Sequence, residues 1–184
     1  MAAKEVVHYG NSILRKKCEL IKNFDNLDNL IENMFDTMYE ENGIGLAANQ
    51  IDVDLQLFIV DISDIEEEGE SIHVFANAEI IDSDGESWLN EGCLSVPDIR
   101  LDIKRSNKIT LKYQDRNGKA FSKEFDGLLA RVIQHEIDHL NGNLIIDRVS
   151  KAEKIGINKD LKLIKENTLR KLESGRASTI YFIC

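Results

Sequence analysis

Apolar residues recur at helical spacing in three stretches of the chain. In residues 26–40, Leu27, Leu30, Ile31, Met34, Phe35 and Met38 follow an i, i+3, i+4, i+7 rhythm. That rhythm predicts an amphipathic helix burying this stripe. Asn26 or Asp25 is suited to cap its start, and Asn42-Gly43 to end it in the left-handed conformation. A second helix is predicted from about Gly127 to Asn141, stopping at Gly142, with Leu128, Val132 and His135 along one face. A third spans 159–173 and turns Leu161, Ile164, Leu169 and Leu172 inward. The segments between them read as strands. Residues 55–61 form a buried strand, residues 72–81 a second, and a turn follows at 82–86. Ile109, Leu111 and Tyr113 alternate through 107–114, a half-buried strand. Asn117-Gly118 predicts a hairpin, and 119–125 the return strand. The apolar run 144–146 predicts a short strand. Residues 5–22 are extended and turn-like, 63–71 form an acidic loop, and no pattern places Tyr181-Phe182-Ile183.

Composition narrows this picture to one soluble domain over residues 1–184. The chain is long enough for a real core, with 42% hydrophobic and 30% charged residues. No segment approaches membrane-spanning length, and no N-terminal apolar run resembles a signal peptide. Three scattered cysteines give no disulfide framework, so a cytoplasmic setting is expected. The net charge of -10 argues against general nucleic-acid affinity. Residues 151–184 carry eight Lys/Arg against four Asp/Glu, so a basic C-terminal helix and tail adjoins an acidic body. A monomer is expected, because no coiled coil or large apolar patch is readable.

Chemistry concentrates in three stretches. His135-Glu136-Ile137-Asp138-His139 is a His-Glu-x-x-His motif. On a helix the two histidines share a face and can grip one metal ion, while Glu136 reaches a water beside it. Two surface histidines on a helix are the bland alternative. Gly43-Ile44-Gly45-Leu46-Ala47-Ala48-Asn49-Gln50 is dense in small residues, which implies close approach of the backbone to a ligand or a tight turn. Its spacing is not that of a phosphate loop. In Glu91-Gly92-Cys93-Leu94-Ser95-Val96-Pro97, Cys93 is the best-placed third soft ligand. His8 has no ligand-type residue at helical or strand spacing and is read as a surface or packing residue, and His73 is read as structural.

In this order the three stretches resemble the three signature motifs of the peptide deformylase family. The resemblance implies an α+β fold, with antiparallel β-sheets packed around a central metal-binding α-helix and a C-terminal helix. It implies a hydrolase removing the formyl group from the formyl-methionine of nascent polypeptides. By the same resemblance, Cys93, His135 and His139 hold the metal, and Glu136 is general base and then acid. The Gln50 side chain and the Leu94 backbone N–H stabilise the oxyanion. Ile44 and Gly45 pair with the substrate main chain. Leu128, Val132, Glu91 and Gly92 line a methionine pocket, and Arg100 lies near the substrate. The metal implied is Fe²⁺ in the cell, with Zn²⁺, Ni²⁺ or Co²⁺ as substitutes. The basic C-terminal helix suggests contact with the ribosome. Asp52 and Asp98 stand where this family commonly has glycine, and Asn49 where it often has proline. Two other readings of the same residues are a zinc endopeptidase and an inactive formyl-peptide-binding homologue.

Overall fold

In the computed structural model, which describes residues 3–65 and 72–180, one helix sits between two sheets. The first apolar stripe forms α1, Asp28–Glu40, with Ile31, Met34 and Met38 buried. Its start is not capped by Asp25 or Asn26. Asn26 is itself left-handed (φ 64°), and Leu27 occupies the cap position without a side-chain bond. Asn42 is left-handed (φ 55°), as expected, and the Gly43 N–H closes the end on the Met38 carbonyl at 2.8 Å.

A five-stranded antiparallel sheet runs in the order β1 (Gly45–Ala47), β2 (Leu57–Asp61), β3 (Ile72–Asp84), β6 (Lys108–Gln114) and β7 (Ala120–Asp126). β2 is buried on both faces, which explains its unbroken apolar run. Leu57 and Ile59 face the α1 core, whereas Phe58 and Val60 face the second helix, α2 (Gly127–Leu140). The sheet thus separates α1 from α2. Gly142 ends the α2 segment at φ 75°, and a Cβ there would meet the Arg15 carbonyl oxygen at 2.7 Å. Only glycine satisfies both conditions.

Beyond α2 lies a two-stranded ribbon, β4 (Ser87–Cys93) and β5 (Val96–Arg105), joined by the two-residue turn Leu94-Ser95. Neither strand was expected. β3 also continues to Asp84, so the turn is at Gly85 and Glu86 rather than across 82–86. Residues 145–147 form a 3-10 turn, not a strand. A short helix, α3 (Lys151–Gly156), then leads into α4 (Asn158–Ile180). On α4, Leu161 is buried, but Leu169 is 41% exposed and Thr168 takes the inward place. Asp52 and Asp98 both sit at φ 63°, the left-handed region that favours glycine. Tyr181-Phe182-Ile183 lies outside the described residues.

Candidate metal centre

The donor set comes from the ribbon and from the helix. Cys93 is the last residue of β4, just before the turn. Helical spacing puts His135 and His139 on one side of α2, with ring centroids 5.2 Å apart. The ligand atoms of Cys93, His135 and His139 all lie within 4.8 Å of one another. Cys93 Sγ is 3.1 Å from His139 Nε2. His135 Nδ1 meets Glu91 Oε2 at 3.1 Å, which leaves the other ring nitrogen for the cluster.

Glu91 is the hub of a buried ion network. Its Oε1 accepts from Arg105 Nε at 2.7 Å and from Arg131 Nη1 at 2.6 Å. Its Oε2 accepts from Arg105 Nη2 at 2.9 Å as well as facing His135. Arg105 Nη1 continues to Asp138 Oδ2 at 2.9 Å, and Asp138 also pairs with Arg148. Asp138 therefore makes a supporting salt bridge to Arg105.

Two carboxyl groups in this site are set for different tasks. Burial acts to raise the pKa of Glu91, but hydrogen bonds from His135 and Arg105 bring it down to about 2. Glu91 is thus a fixed anion. Glu136 is 3% exposed, and burial pushes its pKa up to about 7. Its Oε2 has no partner among the described residues. A carboxyl near neutrality with an unspent oxygen can take up and return a proton. Burial opposes a charge on His135, yet bonding to Cys93 and Glu91 raises its pKa to about 10. His139 moves the other way, held well below the ordinary imidazole range by burial and by the charge of His135.

This chemistry fits a divalent cation. One sulfur and two imidazoles converge, and the pull that holds a proton at His135 acts equally on a metal ion. His139 turns its Nε2 to the cluster, and its Nδ1 is buried without a partner among the described residues.

A cavity of about 630 Å³ opens onto the donors. It is lined by Ile44, Gly45, Gln50, Glu91, Gly92, Cys93, Leu94, Arg100, Leu128, Val132, His135 and Glu136, so it gathers every sequence-predicted site residue except His139. His139 lies behind them at 1% exposure. Gly45 approaches so closely that a Cβ would fall 2.6 Å from Glu136 Oε1 and 2.7 Å from Val132. Gln50 is buried; its Oε1 accepts from the Ala47 N–H at 2.8 Å and its Nε2 donates to Ser95 Oγ at 3.3 Å. Arg100 donates to the Asn90 side chain and backbone carbonyl, both at 2.8 Å. Sequence reasoning missed three contributors. His8, read as a surface or packing residue, lines the cavity, Ser95 holds Gln50, and Arg131 lines the cavity and holds Glu91. A lone arginine inside the apolar run 128–133 was the available signal for the last of these.

Comparison with known proteins places this arrangement among relatives. A family model described as Polypeptide deformylase matches residues 3–155. A peptide deformylase of Flavobacterium psychrophilum is 42% identical over 178 residues, covering 90% of this chain and 92% of its own length. One from Thermodesulfovibrio yellowstonii is 45% identical over 166 residues, covering 90% of this chain and all of its own. The crystal structure of a peptide deformylase from Legionella pneumophila superposes with a TM-score of 0.80 at 40% identity. It covers 91% of this chain and 98% of that one.

Proposed function

The chain belongs to the polypeptide deformylase family, and from that premise we propose that it hydrolyses the formyl group from the N-terminal formyl-methionine of nascent polypeptides, releasing formate. The observation that carries this reading is the Cys93–His135–His139 donor set beside a buried Glu136 with an unpartnered oxygen. It is a metalloenzyme of the hydrolase class. A cation held by Cys93, His135 and His139 supplies Lewis acidity, making water more acidic and drawing electrons from a carbonyl oxygen.

The residues of the chain do the rest. Glu136 takes the proton of the attacking water and returns it to the departing amine. As the formyl oxygen gains charge, the Gln50 amide and the Leu94 N–H donate to it. Gln50 enters this role already oriented by Ala47 and Ser95. Gly45, on the edge strand β1, pairs with the peptide main chain beside Ile44, adding the substrate as a further strand. Leu128 and Val132 hold the methionine side chain with Gly92 and Glu91 at its margin. Glu91, engaged by two guanidiniums, serves as support rather than as a free acceptor. Arg100 offers its guanidinium to acceptors further along the peptide.

We assign Fe²⁺ as the cellular metal from family resemblance, with Zn²⁺, Ni²⁺ or Co²⁺ able to occupy the same donors. The enzyme acts in the cytoplasm as a monomer, and the basic α4 segment contacts the ribosome. No helix among the described residues is long and apolar enough to cross a membrane. The test is anaerobic purification with Fe²⁺ followed by a formate assay on formyl-Met-Ala-Ser. Formate release without cleavage of internal peptide bonds is expected. No formate, or cleavage of an internal bond in an unformylated peptide, would overturn the reading, the latter in favour of an endopeptidase.

A further inference from the structure

Resting on the metallohydrolase reading above, we propose that Arg131 is a positioning residue that ties the ribbon carrying Cys93 to the helix carrying His135 and His139, and so sets the geometry of the metal centre from the wall of the substrate cavity. Arg131 lies one helical turn before His135, at 6% exposure, and lines the cavity beside Leu128 and Val132. Among the described residues, its side-chain hydrogen bonds all leave the helix for the ribbon. Nη1 donates to Glu91 Oε1 at 2.6 Å and to the Ile103 carbonyl at 3.1 Å. Nη2 donates to the Ser87 carbonyl at 2.9 Å and to Ser87 Oγ at 2.7 Å. One guanidinium therefore spans β4 from its first residue to Glu91, two positions before Cys93, and reaches β5 as well.

The rest of the packing gives this tie its importance. Along its length the α2 backbone runs closer to β1, β2 and β7 than to the ribbon. The donor set is split across the helix–ribbon junction, with one donor on the ribbon and two on the helix. Polar contacts cross it: Arg131 to β4 and β5, Arg105 to Asp138, Glu91 to His135 and Cys93 to His139, with Gln134 bonding Ser106 just past β5. Arg105 is on β5, so its two bonds to Glu91 hold the ribbon to itself. Arg131 is the guanidinium that fixes the same carboxylate from the helix side. Glu91 in turn orients His135 through Nδ1, and such outer partners typically alter metal affinity or activity 10–100-fold. A planar fork spending both terminal nitrogens on four acceptors has no equivalent in lysine.

Co²⁺ is the probe, because its thiolate charge-transfer and d–d bands report donor geometry. Wild type is expected to bind Co²⁺ with a thiolate band; failure to do so would overturn the metal reading itself. Arg131→Met keeps the aliphatic stem and loses the fork. It should bind Co²⁺ about 10–100-fold more weakly in competition with a chromophoric chelator, with shifted d–d bands. Arg131→Lys should fall between the two, and Ser87→Ala, which removes one anchor and no charge, should shift affinity the same way by less. A purely structural role would lower the melting temperature of the metal-free protein but leave Co²⁺ affinity and spectrum at wild-type values, and that result overturns the proposal. If Arg131→Met does not fold, unchanged affinity and spectrum in both Arg131→Lys and Ser87→Ala overturn it.

Discussion

On the sheet side of α2, Ala130, Ile133 and Leu140 sit in a core with Phe58, Phe75, Tyr113 and Phe125. Phe75 stacks on Phe58 at 4.8 Å and meets Tyr113 and Phe125 edge-on. On the ribbon side of the same helix, Arg131, His135 and Asp138 bond to Glu91, Arg105 and Ser87. The first side holds the helix by burial, which is strong but non-directional. The second uses charge-assisted bonds, which fix angles as well as distances. A metal centre needs donors placed to fractions of an ångström, and the directional side carries the two histidines of the candidate donor set. Stability and chemistry are thus separable on one helix, and substitutions on each side should register in different measurements.

The sharpest separation is expected at Glu136. Glu136→Ala should lower kcat for formyl-Met-Ala-Ser by about 10²–10⁴, the usual range for loss of a general base. Metal content should stay at wild-type level, and stability should not fall, because a buried carboxyl with an unpartnered oxygen is removed. Metal analysis and thermal melts alongside the kinetics check this. Full activity in Glu136→Ala would sink the assigned mechanism. On the opposite side, Phe75→Ala should cost about 3–5 kcal/mol of unfolding free energy in urea titrations. The folded fraction should keep its chelator-competition affinity for Co²⁺. A large loss of metal affinity there would show that the two sides are not independent.

The sequence made one of these sides far more legible than the other. Periodicity identified α1, α2 and β2, β3, β6 and β7 of the main sheet, because burial leaves a regular apolar imprint, while β1 fell within the small-residue stretch read as a turn or loop. His-Glu-x-x-His needed only a helix to bring its two histidines together, so that pairing was readable too. The β4–β5 ribbon was not. β4 reads Ser-Trp-Leu-Asn-Glu-Gly-Cys, without alternation, and Pro97 argues against a strand at the start of β5. β5 does alternate, but its last inward position is Arg105, where a core strand would carry an apolar residue. The ion network was hidden for a related reason. Glu91 lies 14 residues from Arg105 and 40 from Arg131, so no local pattern signals that these charges are buried together. Apolar run 144–146 was read as a strand because length alone cannot separate a short strand from a helical turn.

Gln50 tests whether the catalytic side is itself divisible. Its Oε1 is spent on the Ala47 N–H and its Nε2 reaches Ser95 Oγ. Gln50→Ala should lower kcat by about 10²–10³, as for loss of one oxyanion donor. It should leave metal affinity unchanged, since no ligand depends on it. It also strands the buried Ala47 N–H, at a cost of about 1–3 kcal/mol in stability. Ser95→Ala keeps the donor but loosens it, so a smaller fall in kcat with unchanged metal content is expected.

The smallest effect is expected where ions face water. Asp147 pairs with Arg15, accepts from Lys154 at 3.2 Å, and takes the Leu144 N–H at 2.9 Å, linking the first turn of the chain to the segment after α2. Burial alone would raise its pKa, but the bonds from Arg15, Leu144 and Lys154 bring it below the ordinary carboxylate value. A depressed folded-state pKa stabilises the fold above the unfolded value of about 4, and that contribution is lost as pH falls through the folded value. Asp147→Asn should therefore flatten the acid limb of the stability curve, read as urea midpoints between about pH 5 and pH 2. The carboxylate is 28% exposed and Arg15 39%, so solvent screens the pair and the change at pH 7 should be below about 1 kcal/mol. Arg105, at 2% exposure, pairs with carboxylates at 7%. Removing its charge leaves two buried anions with one guanidinium partner each, Arg131 for Glu91 and Arg148 for Asp138, and should cost several times more. Equal effects from Asp147→Asn and Arg105→Met would show that burial, rather than charge as such, does not separate the two ion clusters.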